Sequence, residues 1–189
     1  MYPNLFLITN CGRITLDFYN GKVHIYRSGE AYSKWTPTST IVSPFFDANF
    51  GYSVALSGDG RLVVGANSVA TYTGQVFVYA LQDGTEEWEL EATLNSPLGE
   101  AQGYGYRVAI DGETIVVGNA VNQAYIYQYN ADTAVWQLNS SLTCPDGDAN
   151  AQGLGPYFGR AAAISGDYVV VGAHNAGANV LRIAMFTFL

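Results

Sequence analysis

The chain has little charge. Only 13% of its 189 residues are Asp, Glu, Lys or Arg, about half the usual globular share. Basic residues are scarcest, eight Lys and Arg against sixteen Asp and Glu, for a formal net charge of -8. A chain of that sign repels phosphate backbones and anionic membrane surfaces, so nucleic acid is not expected as a partner. Cysteine is nearly absent. Cys11 and Cys144 stand alone, with neither the spacing of a metal knuckle nor a CxxC redox pair. Long hydrophobic runs are missing too: the longest, Val180 to Leu189, is interrupted by Arg182 and has half the roughly 20 residues that cross a bilayer, so no membrane insertion is expected. The first residues, Met1 to Ile8, have no basic n-region and only four consecutive apolar residues, Leu5 to Ile8, which is not a secretory signal. No helical periodicity is long enough to cover a sheet, which excludes α/β layouts.

What is abundant is aromatic and glycine: 14% aromatics, 14 Tyr and 21 Gly. That composition belongs to sheets joined by tight turns. The organisation is a repeat. Phe50-Gly51, Tyr104-Gly105 and Phe158-Gly159 lie 54 residues apart, and the same events follow each pair. First comes a short run of small and apolar residues with alanine at one equivalent position, Ala55, Ala109 and Ala163. A tight Gly and Asp turn follows, around Asp59, Asp111 and Asp167, with the residues that favour hairpin reversals. Next are unbroken apolar runs ending in glycine, Leu62 to Gly65, Ile115 to Gly118 and Val169 to Gly172, which suit a strand covered on both faces. A variable loop leads to a third strand at Val76 to Tyr79, Ala124 to Tyr127 and Val180 to Ile183. The fourth strand alternates apolar and polar, in Trp35 to Ile41, Trp88 to Leu94 and Trp136 to Leu142, the pattern of one wet face.

The sequence therefore grades from small to fully apolar to aromatic to amphipathic. In a propeller the blades converge on the axis, so the innermost strand needs small residues, the middle ones are sandwiched and the outermost meets solvent. The expected fold is all-β, with propeller blades of four antiparallel strands. About four blades are expected, two complete and two partial, near 1–48, 49–98, 103–146 and 157–189. The first would lack its inner strand and the last its Trp strand. Seven such blades need about 380 residues, so the chain is expected to be part of a larger propeller or to pair with a second copy. A four-bladed ring sealed by Leu5 to Ile8 is the rival. Exposed blade faces would favour self-association.

These residues resemble FG-GAP repeats, most closely the calcium-free type. The stretch Phe50-Gly51-Tyr52-Ser53-Val54-Ala55-Leu56-Ser57-Gly58-Asp59, with Val64-Gly65-Ala66 after it, carries the likeness. Related repeats build the seven-bladed heads of integrin α-subunits, so the resemblance implies extracellular or cell-surface binding and adhesion. The family's Gly-Ala-Pro is replaced here by Gly65-Ala66-Asn67, Gly118-Asn119-Ala120 and Gly172-Ala173-His174. The acidic DxDxDG loop of calcium-binding members is absent from the short turns.

Chemistry is sparse. Calcium needs six to eight oxygens, whereas Asp59, Asp111 and Asp167 stand nearly alone as turn residues. Asp146, Asp148 and Asn150 are a weak cation candidate, since no downstream carboxylate completes the set, and no cofactor is expected. Of two histidines, His24 alternates with Val23 and Ile25 on a strand, and His174 follows the apolar second strand. No acid, base or nucleophile is spaced with either, so the chain reads as no enzyme. Recurrent aromatics (Tyr79, Tyr127, Trp35, Trp88, Trp136) are assigned to packing between blades. In antiparallel blades, the loops from strand two to three and from strand four to the next blade share one face. Ligand contacts are expected there, from Tyr72, Glu100, Asp146, Asp148, Tyr157 and His174. The function expected is a binding or adhesion module for a protein or glycan ligand. The alternatives are a carbohydrate-binding or hydrolytic propeller, and a purely structural blade segment of a larger surface protein.

Overall fold

The computed structural model describes residues 5–9, 21–28, 34–45, 49–100, 102–144, 157–173 and 182–187. Those residues form fourteen strands in four antiparallel sheets. The first sheet is β1 (Leu5–Thr9), β2 (Lys22–Ser28) and β3 (Trp35–Val42). The second is β4 (Phe50–Leu56), β5 (Arg61–Ala66), β6 (Gln75–Leu81) and β7 (Trp88–Asn95). The third is β8 (Arg107–Asp111), β9 (Thr114–Gly118), β10 (Gln123–Asn130) and β11 (Val135–Thr143). The fourth is β12 (Phe158–Ser165), β13 (Tyr168–Ala173) and β14 (Arg182–Thr187). In each sheet the strands pair in chain order, as an up-and-down meander does. The expected third strand of the last sheet is found in its described part, from Arg182 on, and the β5–β6 connection contains a left-handed turn at Val69–Tyr72.

Burial follows the grading of the sequence. β5 and β9 are buried along almost their whole length, and β7 and β11 are mostly exposed. On β2, Val23 and Ile25 are fully buried while His24 between them turns outward and meets the Thr40 hydroxyl at 3.0 Å. Three apolar clusters lie between successive sheets: Phe50, Leu62, Phe77 and Tyr79 with Val23 and Ile25; Val63, Val78, Tyr104 and Tyr125; and Val116, Ile126, Phe158 and Val169. Each cluster is filled by the aromatic of the next repeat's aromatic-Gly pair. Phe50, Tyr104 and Phe158 are all essentially buried. Inside its cluster the Tyr104 hydroxyl donates to that of Tyr127 at 2.8 Å, which satisfies a polar atom that burial would otherwise make costly.

The glycine beside each aromatic explains the rest of the motif. Gly51, Gly105 and Gly159 have φ of 84°, 84° and 99°, a region that other residues enter only with strain. The strands containing Gly51 and Gly159 slip register at that point, between Phe50 and Ser53 and between Phe158 and Ala161. This is a β-bulge. Its carbonyl is pressed against the preceding sheet, where a Cβ on Gly65 would overlap the Gly105 oxygen and one on Gly118 would overlap the Gly159 oxygen. The Ser53 hydroxyl donates to that same Gly105 oxygen at 2.8 Å. So the apolar run must end in glycine because the next repeat's backbone occupies the space of a side chain.

The recurrent tryptophans do not share one environment. Trp136 is 6% exposed, Trp88 half-buried and Trp35 41% exposed, so the expectation of core packing holds fully only for Trp136. The difference lies in what crosses the ring. Arg61 of the preceding sheet sits 5.7 Å from the Trp136 ring and 4.4 Å from that of Tyr129, and Glu91 accepts the indole N–H at 3.1 Å.

Candidate functional site

The connections between β5 and β6 and between β7 and β8 meet at one end of the second sheet. Gly103 and Tyr104 donate their amides to the Tyr72 and Thr73 carbonyls at 2.7 and 3.0 Å. Ala120 of the third sheet donates to the Gln102 carbonyl at 2.9 Å, which ties in the next loop. Buried asparagines organise these loops: Asn67 stands where the resembling family has proline and Asn119 where it has alanine. Asn119 accepts three successive amides, from Val121, Asn122 and Gln123, at about 3.0 Å each, an Asx-type turn, and donates to Gln102 at 2.8 Å. Asn67 accepts from Asn49 at 3.2 Å.

On this scaffold Tyr72 is 45% exposed, with φ of 75°, and its ring lies against Gly103. Glu100 accepts from the Gln102 amide at 2.7 Å. Tyr157 lies under the Arg160 guanidinium, 3.8 Å from its ring centre. Asp146, Asp148, Asn150 and His174 lie outside the described residues. Among the described residues, no group of three or more His, Cys, Asp or Glu is placed to hold a metal ion.

The positive-φ glycines bring forward three residues that sequence reasoning passed over. Tyr52, Tyr106 and Arg160 each follow an aromatic-Gly pair directly and keep its 54-residue spacing. That regularity was the available signal: at this position the repeats place large side chains amid small ones. In the structure they form a row across three sheets. The Tyr52 and Tyr106 rings are 4.9 Å apart, and Arg160 lies 5.1 Å from the Tyr106 ring and 3.8 Å from that of Tyr157. Arg160 Nε donates to the Ala120 carbonyl at 3.0 Å, which fixes the guanidinium plane. Tyr52 is 48% exposed. Its phenol is pushed up to about 12 by the hydrogen bond to Tyr106, then by burial and by the neighbouring Tyr106 and Tyr72, while Arg160 pulls the other way. Five side chains thus share one electrostatic neighbourhood at the open end of the inner strands.

The sequence matches the FG-GAP repeat family over residues 46–79 and 136–182. The chain carries FG-GAP repeats. The first match covers β4, β5 and most of β6; the second runs from β11 through β12 and β13 to the start of β14. The FG-GAP signature is thereby explained physically: the aromatic plugs the cleft between sheets, the glycine makes the bulge, and the glycine ending the next strand admits the bulge of the following repeat. No curated protein matches the chain at a significant level. FG-GAP repeats occur in adhesion proteins of the integrin-like propeller type.

Proposed function

We propose that the chain is a non-enzymatic binding module of an extracellular or cell-surface protein, with its ligand resting on the row Tyr72, Tyr52, Tyr106, Arg160 and Tyr157. The observation that carries this reading is the alignment of three repeat-equivalent side chains in one row, each directly after a positive-φ glycine. Tyr52 is exposed, Tyr106 and Arg160 are half-buried, and none of them belongs to the apolar clusters. Bulges that re-aim side chains are characteristic of binding surfaces, and exposed aromatics beside an arginine are the residue types that dominate interface energetics. Glu100 lies close by, on the loop leading into the row.

Two of the acidic side chains are engaged structurally. Asp59 and Glu91 both pair with Arg61, at 2.8 and 3.1 Å, at a joint between sheets, where general acid and base work needs groups free to exchange protons. Among the described residues no helix is long and apolar enough to cross a membrane.

The test is a panel of extracellular proteins and glycans bound to the immobilised chain. A genuine ligand should lose about tenfold or more in affinity with Tyr52→Ala or Tyr72→Ala, as truncated interface aromatics do, and be unmoved by Asp167→Asn in the opposite turn. The reverse pattern would place the binding face at the short turns and overturn the proposal.

A further inference from the structure

We infer that the row is a subsite for a carboxylated sugar, with Arg160 holding the carboxylate and the flanking tyrosines stacking on the sugar rings. This rests on the binding reading above. Arg160 is not a loose surface cation. Its guanidinium lies 3.8 Å from the Tyr157 ring centre and 5.1 Å from that of Tyr106, and its Nε is committed to the Ala120 carbonyl. Its two terminal amino groups have no hydrogen-bond partner among the described residues, and the residue is half-buried. None of the ion pairs among the described residues involves it. A guanidinium so held, with no carboxylate on it among the described residues, is suited to a planar, two-oxygen partner, because its paired N–H groups match the spacing of carboxylate oxygens.

The neighbours select what bears that carboxylate. Tyr52, 48% exposed, offers a flat apolar ring edged by a hydroxyl, and the half-buried Tyr106 ring links it to Arg160 at intervals near 5 Å. Pyranose rings have the complementary character, an apolar C–H face with hydroxyls around it, and stack on such rings while keeping their polar edges wet. A peptide anchor instead calls for a pocket that surrounds a side chain. The net charge of -8 sets the density of charge tolerated: one carboxylate can be met by Arg160, but a densely sulfated polymer would be repelled. The ligand class is therefore a sparsely charged oligosaccharide with a uronate unit.

The experiment is calorimetric titration of the intact chain with a tetrasaccharide of alternating uronate and neutral sugars, with the same tetrasaccharide after its carboxyls are reduced to alcohols, and with an aspartate-rich peptide. The acidic sugar should bind, and both carboxyl reduction and Arg160→Gln should weaken it about tenfold or more, the value of a charge-assisted pair. Tyr52→Ala, at an exposed position that leaves the core intact, should weaken both sugars. Equal binding of acid and reduced forms, insensitivity to Arg160→Gln in a variant with unchanged melting, or no binding at millimolar sugar would overturn the inference. Peptide binding that depends on the row would overturn the sugar assignment and leave the binding module standing. Sugar binding that ignores every residue of the row would overturn both this subsite and the face proposed above.

Discussion

Glycine at the end of the apolar strand is the most constrained residue in the repeat. At Gly118 a Cβ would overlap the Gly159 carbonyl, and backbone cannot swing aside as a side chain can. Gly118→Ala should therefore cost about 2–3 kcal/mol, the range of overpacking in a closed space, measured by urea unfolding. Gly58, with nothing within 4 Å of its Cβ position, provides the control: Gly58→Ala should stay within about 0.5 kcal/mol. Equal losses at the two positions would refute the bulge contact. Tyr104 poses a subtler question. Tyr104→Phe keeps the ring in its cluster but leaves the Tyr127 hydroxyl without its partner, so a loss of about 1 kcal/mol is expected in the same assay. A neutral result would mean that the hydroxyl pair makes no net contribution.

Strands are joined across sheets by a cluster centred on Arg61 of β5. It pairs with Glu91 of β7 and Asp59 of the turn, and its guanidinium covers Tyr129 and Trp136 of the third sheet. Burial, the largest influence on Arg61, favours its neutral form, but the Glu91 and Asp59 carboxylates together outweigh it and hold the charge. Glu91 in turn accepts the Trp136 indole N–H. Such a network couples its members. Arg61→Ala should cost about 2 kcal/mol, since it strands a half-buried carboxylate pair and uncovers two rings. A double-mutant cycle with Trp136→Phe should give a coupling of about 1 kcal/mol, and strict additivity would show that the two sheets meet there without a specific contact. At the same end, Gly166 donates its amide to Asp111 at 2.7 Å, so the short turns also interlock from sheet to sheet.

Among the described residues successive sheets meet edge to edge, β1 against β4, β4 against β8 and β8 against β12. Stability in such a stack is distributed among interfaces. Gly118→Ala should therefore strip hydrogen-exchange protection from β12 and β13 while β5 and β6 retain theirs, and uniform loss would show that all four sheets open as one unit. Tyrosine burial adds an alkaline limit. Burial raises Tyr79 and Tyr125 to about 12, and Tyr104 lies well above the ordinary value for the same reason. Since the unfolded chain releases these protons first, near pH 10, it binds fewer than the native state above that pH, and stability falls as pH rises. The contribution should be complete below about pH 10 and be lost through about pH 12, with tyrosinate absorbance appearing together with unfolding. Tyrosinate that forms smoothly in the folded state would contradict the burial.

The sequence by itself determined the strand order, the turns and the burial of each strand, because those depend on local pattern: a 54-residue repeat, period-two alternation in Trp88 to Leu94 and unbroken apolar runs before Gly65, Gly118 and Gly172. It also singled out Tyr72, Tyr104 and Tyr157 as loop aromatics: Tyr72 is exposed and Tyr157 half-buried, both beside the row, whereas Tyr104 is fully buried because its ring fills the cluster between the second and third sheets. It did not single out Tyr52, Tyr106 or Arg160. Their neighbours in the chain are core residues, and only the positive-φ glycine before each, with a bulge at Tyr52 and Arg160, turns them away from that core. The unequal fates of Trp35, Trp88 and Trp136 have the same origin. Their local sequences are alike, and burial was decided by which side chains of the adjoining sheet lie across the ring, a property of packing between repeats that no single repeat encodes.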